Sequence, residues 1–117
     1  MNTSPATDGI GYLVVKVSTA RGVIPLQNAT VNIRGAENEN SGVLFSLTTD
    51  RDGKTPRISL ATPSRSASQT PNDAAPFATY KADVFLDGYL PLTVEQIPIF
   101  PSVLSIQPAV LIPSPAP

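Results

Sequence analysis

Prolines interrupt this chain too often for it to contain long helices. The 117 residues include 13 prolines and seven glycines, spread along most of the length. A proline inside a helix removes a backbone hydrogen bond and clashes with the preceding turn. No window repeats apolar residues at i, i+3, i+4 and i+7 over three turns. The sequence therefore predicts an all-β protein, because strands accept proline at edges and ends.

Segments between these breaks alternate apolar and polar residues with the period of two that half-buried strands show. Seven such strands are predicted, at residues 11–19, 29–34, 43–49, 55–60, 79–85, 90–96 and 103–111. Their spacing of roughly ten residues, with turn signals between them, is typical of a β-sandwich. The expected fold is a seven-stranded, Greek-key-type β-sandwich.

The sequence predicts a domain flanked by two terminal segments. Residues 1–9 are predicted to be a flexible N-terminal arm, residues 10–112 the sandwich domain, and residues 113–117 a proline-rich tail. Within the domain, residues 61–76 lack periodicity and are predicted to be a long surface loop.

Composition excludes several classes of function. The chain has no cysteine and no histidine, so thiolate chemistry, disulfides and the commonest general base and metal ligand are missing. A net charge of −1 gives no attraction to nucleic acid, and the apolar runs are too short for membrane insertion. No signal peptide is visible at the N-terminus. We therefore expect no enzyme, no catalytic residue, no cofactor and no metal.

Two candidate sites have simpler explanations. Asp50 and Asp52 alternate as calcium ligands do, but the remainder of a calcium loop is missing, and Asp followed by Gly53 favours a turn. Lys16 lies on the first predicted strand, where an intramolecular Lys–Asn isopeptide bond would need it. The last strand offers no Asn or Asp to receive it, so an exposed lysine that discourages edge pairing is favoured.

Three segments carry a resemblance to a known family. They are GVIPLQNATV at residues 22–31, TTDRDGKT at residues 48–55 and YKADVFLDGY at residues 80–89. In order and spacing they resemble carboxypeptidase regulatory-like domains, which have the transthyretin-like (prealbumin-like) sandwich. The variant here resembles N-terminal domains of clostridial spore cortex-lytic and related envelope proteins. The resemblance implies a role in folding, spacing, adhesion or assembly beside a catalytic neighbour; without such a neighbour, a free-standing structural role is expected.

The expected function is that of a structural subunit that associates with itself into a bacterial extracellular, envelope or spore-associated fibre. Association is expected through strand edges and terminal arms. The predicted interface residues are Ile10, Tyr12, Val14, Ile112 and Pro113. The expected location is extracellular, at the cell surface or in the spore envelope.

Two alternatives stay open at this point. One is an accessory domain that binds cell-wall polysaccharide or peptidoglycan through Tyr12, Tyr80 or Tyr89 and the loop at residues 61–76. The other is a detached pro-domain of a cell-wall or spore-cortex lytic enzyme.

Overall fold

The computed structural model is a sandwich of two β-sheets, and it describes residues 9–35, 42–63 and 77–115. These ranges contain eight strands: β1 (Gly9–Thr19), β2 (Ile24–Pro25), β3 (Thr30–Gly35), β4 (Phe45–Thr48), β5 (Ile58–Thr62), β6 (Ala78–Phe85), β7 (Leu92–Ile99) and β8 (Leu104–Val110). No helix able to span a bilayer occurs within them. The all-β sandwich expected from the sequence is confirmed. The strand beyond the predicted seven is the two-residue β2, which lies where a turn was expected.

Sheet A is organised around β1. On one side β1 pairs antiparallel with β5 along residues 9–13 and with β2 at residues 18–19. On its other side it pairs in parallel with β8, from Tyr12 opposite Leu104 to Ser18 opposite Val110. The first and last strands of the domain are therefore neighbours, and they run in the same direction.

Sheet B has the order β4-β3-β6-β7 and is antiparallel throughout. Its centre is the β3–β6 pair, in which Val31 lies opposite Val84 and Ile33 opposite Ala82. All four side chains are fully buried. In β3 and β6, the apolar residues of the alternating pattern thus point into the core, and the polar residues between them point outward.

The core lies between the two inner faces. It is formed by Leu13, Val15, Val17, Ile58 and Leu60 from sheet A and by Val31, Ile33, Tyr80, Ala82, Val84, Ile97 and Ile99 from sheet B, with Leu26, Ala29, Ala109 and Leu111. Buried threonine hydroxyls satisfy backbone groups where strand pairing stops: Thr55 accepts from the Val15 N–H at 3.0 Å, and Thr49 accepts from the Ala29 N–H at 2.9 Å. These bonds matter because an unpaired buried backbone group destabilises the fold.

A bulge in β7 shifts the side-chain alternation of that strand. Tyr80 pairs with Ile97 but Ala82 pairs with Val94, so two residues of β7, Glu95 and Gln96, oppose one residue of β6. Leu92 and Val94, the alternating apolar residues of the strand predicted at residues 90–96, are both half-buried. The fully buried residues are Ile97 and Ile99, beyond the bulge, where the period-two reading no longer applies.

Strand β8 has the opposite orientation to the one its pattern suggests. Leu104, Ile106 and Val110 are its large apolar residues in the sequence, yet they point away from the core. The inner face of β8 carries Ser105, Gln107 and Ala109, opposite Leu13, Val15 and Val17 of β1. Only Ala109 of that inner face is buried, with Leu111 following it.

The chain ends differ from the predicted boundaries. Gly9, assigned to the arm, belongs to β1 and pairs with Thr62. Pro113, assigned to the tail, forms a bridge with Tyr89, and the Ser114 N–H donates to the Gly88 carbonyl at 2.9 Å. The remainder of the predicted arm, residues 1–8, and most of the predicted loop, residues 64–76, lie outside the described residues.

Candidate interaction surface

The outer face of sheet A carries a continuous group of apolar side chains. Ile10, Tyr12 and Val14 alternate along β1, and the parallel register places Leu104 beside Tyr12 and Ile106 beside Val14. These five residues are called the apolar face below. Side chains at paired positions of neighbouring strands project to the same side of a sheet, so the five side chains lie together.

The apolar face is open to solvent. Ile106 is 58% exposed, Ile10 51% and Leu104 47%, while Tyr12 and Val14 are half-buried among them. Single exposed apolar side chains are ordinary, but contiguous ones on a soluble domain mark a surface that contacts another molecule. The site is therefore a candidate for contact with a partner.

An unpaired strand edge borders this face. In the β1–β8 ladder, the Tyr12 N–H donates to the Val103 carbonyl at 3.0 Å and the Leu111 N–H donates to the Ser18 carbonyl at 2.7 Å. Odd-numbered residues of β8 thus turn their backbone groups toward β1, and Leu104, Ile106, Pro108 and Val110 turn theirs outward. Among the described strands, none pairs with that outer edge. Pro108 lies at an outward position, where its missing N–H leaves no ladder bond unmade.

Cations border the apolar face. The Arg57 guanidinium carbon lies 5.1 Å from the centroid of the Tyr12 ring, a cation–π distance that holds the ring against β5. Lys16 follows Val14 on the same side of β1 and is exposed. Its backbone forms an isolated antiparallel β-bridge with the backbone of Lys54. These positive charges keep the border of the patch soluble while its centre is apolar.

The outer face of sheet B is built differently. Arg34 and Asp83 form a two-pronged ion pair, from Nε to Oδ2 at 2.7 Å and from Nη2 to Oδ1 at 3.2 Å. The Thr93 hydroxyl donates to Oδ1 at 2.8 Å. Burial acts to raise the pKa of Asp83, but the hydrogen bonds from Arg34 and Thr93, with the charges of Arg34 and Lys81, outweigh it and hold that pKa below its ordinary value.

The structure brings together three of the five predicted interface residues. Ile10, Tyr12 and Val14 share the apolar face. Ile112 and Pro113 lie beyond the opposite end of β8, where the Ile112 carbonyl accepts from the Leu90 N–H at 2.9 Å. Sequence reasoning missed Leu104 and Ile106 as members of this surface because their alternation with Ser105 and Gln107 looks the same for a core face.

The remaining candidates have structural roles. The Asp50 carboxylate accepts from the Asp52 and Lys54 N–H groups at 2.9 and 3.0 Å, which confirms the predicted turn. The described part of the chain contains no group of three or more acidic, His or Cys side chains placed to hold a metal.

The tyrosines of the carbohydrate alternative do not form one platform. Tyr80 is buried, and its hydroxyl donates to the Ala61 carbonyl at 2.6 Å. Tyr12 belongs to the apolar face, whereas Tyr89 lies in the turn after β6, packed against the core. The structure therefore does not bring these three tyrosines onto one surface, and most of the loop in that alternative, residues 64–76, lies outside the described residues.

Comparison with known proteins supports the fold. No protein-family model matches the chain. No curated protein matches it either. Among solved structures, it is similar to the Streptococcus agalactiae minor pilin GBS52 (TM-score 0.58, 14% identity, 95% of this chain and 48% of that one) and to (S)-allantoin synthase (TM-score 0.57, 13% identity, 91% and 42%). It is equally similar to chlorocatechol 1,2-dioxygenase from Pseudomonas putida (TM-score 0.57, 15% identity, 95% and 62%).

These similarities are distant, and the chain spans less than two-thirds of the length of each of these proteins. What they have in common with it is the β-sandwich fold. A fold that occurs in a pilin and in enzymes does not specify a function, which depends on the surface that each protein builds on it.

Proposed function

We propose that this chain is a non-catalytic structural module that associates with copies of itself, as a subunit of a bacterial extracellular, cell-surface or spore-envelope fibre. The observation that carries the proposal is the apolar face of sheet A beside the unpaired edge of β8. Covering such a surface stabilises the associated state by roughly 25 cal/mol per Å² of apolar area removed from water.

Two further facts support a structural role over an enzymatic one. The sequence contains no histidine and no cysteine, which removes the side chains most used for acid–base and thiol chemistry near neutral pH. The similar fold of a Gram-positive minor pilin is a precedent for such a sandwich in a surface fibre. The resemblance of the sequence to carboxypeptidase regulatory-like domains of spore and envelope proteins belongs to the same proposal.

The geometry supports association through the edge of β8. The outward backbone groups of Leu104, Ile106 and Val110 offer hydrogen bonds to an added strand, and the apolar face beside them offers area to bury. An edge that pairs with a different edge of the next copy generates an open assembly when the rotation between copies does not close. A fibre is the form that such an assembly takes.

The test is the mass of the protein as its concentration rises, measured by size-exclusion chromatography with light scattering. The wild-type chain should form species larger than a monomer, visible as fibres in negative-stain microscopy. Ile106→Lys places a charge in the centre of the apolar face and should shift the association midpoint upward by about tenfold or more, equivalent to roughly 1.4 kcal/mol.

The matched control is Thr30→Lys, which adds the same charge at an exposed position on the outer face of sheet B. It should leave association unchanged. A wild-type chain that stays monomeric at every concentration would refute the proposal, as would equal association of the two lysine variants.

A further inference from the structure

A groove lies on the outer face of sheet B, on the opposite side of the molecule from the apolar face. It has a volume of about 670 Å³ and runs over the paired ends of β6 and β7. Nothing in the proposed self-association uses it, so its role is independent of that proposal.

The β7 bulge shapes one end of the groove. Gln96 has a φ of 60°, a left-handed conformation that non-glycine residues adopt at an energetic cost. With the extra residue in the strand, both Glu95 and Gln96 line the groove instead of pointing to opposite sides of the sheet. Bulges that redirect side chains in this way are common beside binding sites.

Aromatic rings form the other end. The Phe77 and Phe100 rings lie 5.4 Å apart, centroid to centroid, at an interplanar angle of 40°. Phe77 is 43% exposed and does not belong to the buried core. With Pro98 between them and the bulge, they give the groove an apolar floor at this end.

Polar groups at the bulge end are available to a ligand. Glu95 is exposed, and within the described residues neither its carboxylate nor the Gln96 amide makes a side-chain hydrogen bond or ion pair. Lys81 lines the same end and supplies a cation. The site thus offers an acceptor, an amide that both donates and accepts, and a charged donor within reach of an apolar floor.

We infer that this groove binds a glycan that carries N-acetyl groups. Sugar hydroxyls both donate and accept, which suits a carboxylate beside an amide and an ammonium group. The acetamido group adds an N–H for Glu95, a carbonyl for Gln96 or Lys81, and a methyl for the phenylalanine rings. The C–H face of a pyranose ring packs on such an apolar floor, and an open groove on a sheet face accepts a chain of sugars where a closed pocket would not.

The test is a titration of the isotope-labelled protein with chitotetraose, followed by amide chemical shifts, with cellotetraose as the sugar that lacks acetamido groups. Chitotetraose should shift the amide signals of Lys81 and Gln96, and cellotetraose should bind more weakly. Phe77→Ala should weaken binding of chitotetraose by about tenfold, as expected for loss of one well-packed aromatic contact.

Two variants keep the result independent of folding. Phe85→Ala removes a ring of similar exposure (46%) from the far end of β6, outside the groove, and it should bind as the wild type does. Gln96→Gly removes the amide side chain while keeping a backbone that favours the bulge, and it should fold normally and bind weakly. The inference fails if chitotetraose shifts no signal in β6 or β7, if cellotetraose binds as tightly, or if both groove variants bind as the wild type does.

Discussion

The outer faces of the two sheets differ in the side chains that they present to water. On sheet B, Arg34, Asp83 and Thr93 bind one another across three strands, and the face between them is polar. On sheet A, the central strand β1 and the edge strand β8 present Val14 and Ile106 side by side to solvent. Both sheets seal the same core with their inner faces, so the core does not explain the difference. The asymmetry supports the proposal that another molecule covers the apolar face of sheet A.

The largest effect is expected where the two sheets close upon each other. A Cβ atom on Gly11 would collide with the Phe100 carbonyl oxygen and the Ile99 side chain. Gly11→Ala should therefore lower the free energy of unfolding by about 3 kcal/mol, as overpacking does when backbone must move. Urea denaturation measures this. Gly42→Ala, where the new methyl meets no atom within 4 Å, should be nearly neutral. Equal effects would mean that the sheets are not sealed at this point, and the distinction between inner and outer faces would weaken there.

Two neighbouring valines on β1 test the difference between its inner and outer faces. Val15 is fully buried, so Val15→Thr places a hydroxyl in the core and should lower the free energy of unfolding by about 2 kcal/mol. Val14→Thr makes the same change on the apolar face and should alter the stability of the monomer by no more than about 0.5 kcal/mol. Binding of a dye specific for apolar surfaces should fall for the Val14 variant alone. A large loss of stability at Val14 would show that the apolar face contributes to the fold of the monomer.

The ion pair of sheet B gives a smaller effect that depends on pH. Because the pKa of Asp83 is lowered in the folded state, its carboxylate stabilises the fold at neutral pH, and this contribution is lost as the pH falls from about 4 through the lowered pKa. Asp83→Asn should lower the free energy of unfolding by about 1 kcal/mol at pH 7, as expected for a partly exposed pair.

The difference between the Asp83→Asn variant and the wild type should shrink as the solution is acidified toward pH 2. Thr48→Asn, at an exposed position on β4, serves as the control, and its difference from the wild type should not change with pH because no ionisable group is removed. A difference for Asp83→Asn that stays constant with pH would contradict the assigned role of the carboxylate.

The smallest effect concerns the bulge that distinguishes β7 from the regular strands of sheet A. Gln96→Gly relieves the left-handed backbone and should raise the free energy of unfolding by about 0.5 kcal/mol. Glu95→Gly, one residue earlier and without the positive φ, should lower it by a similar amount because glycine loses more backbone entropy on folding. Thermal melting of the two variants compares them. A destabilised Gln96→Gly would mean that the side chain, and not the backbone, holds the bulge.

The sequence predicted the buried residues correctly in strands where one face is clearly more apolar than the other. Leu13, Val15 and Val17, like Val31 and Ile33, are buried as their pattern indicates. The prediction failed at Gln96, where the bulge adds one residue and reverses which residues of β7 face the core. Glycine is the usual sequence signal for such a backbone, and this position has none. The prediction also failed at β8, where Leu104 and Ile106 face solvent. An alternating pattern by itself does not determine which face of a strand packs on the core.

The candidate site was predicted in part for the same reason. Ile10, Tyr12 and Val14 are recognisable as outward apolar residues because the opposite face of β1 is clearly the stronger core face. Their partners Leu104 and Ile106 join them only through the parallel pairing of β1 with β8, which connects residues about ninety positions apart in the chain. Such a pairing leaves no local signal in a single sequence.

That parallel pairing also determines how the domain would carry mechanical load. Strand β1 begins at one end of the molecule and β8 finishes at the other, with seven residue pairs aligned between them. Tension applied to the two ends of the domain would pull these strands past each other lengthwise, so that the whole ladder bears the force at once and cannot open one bond at a time. A domain with this arrangement resists stretching along the direction of β1 and β8.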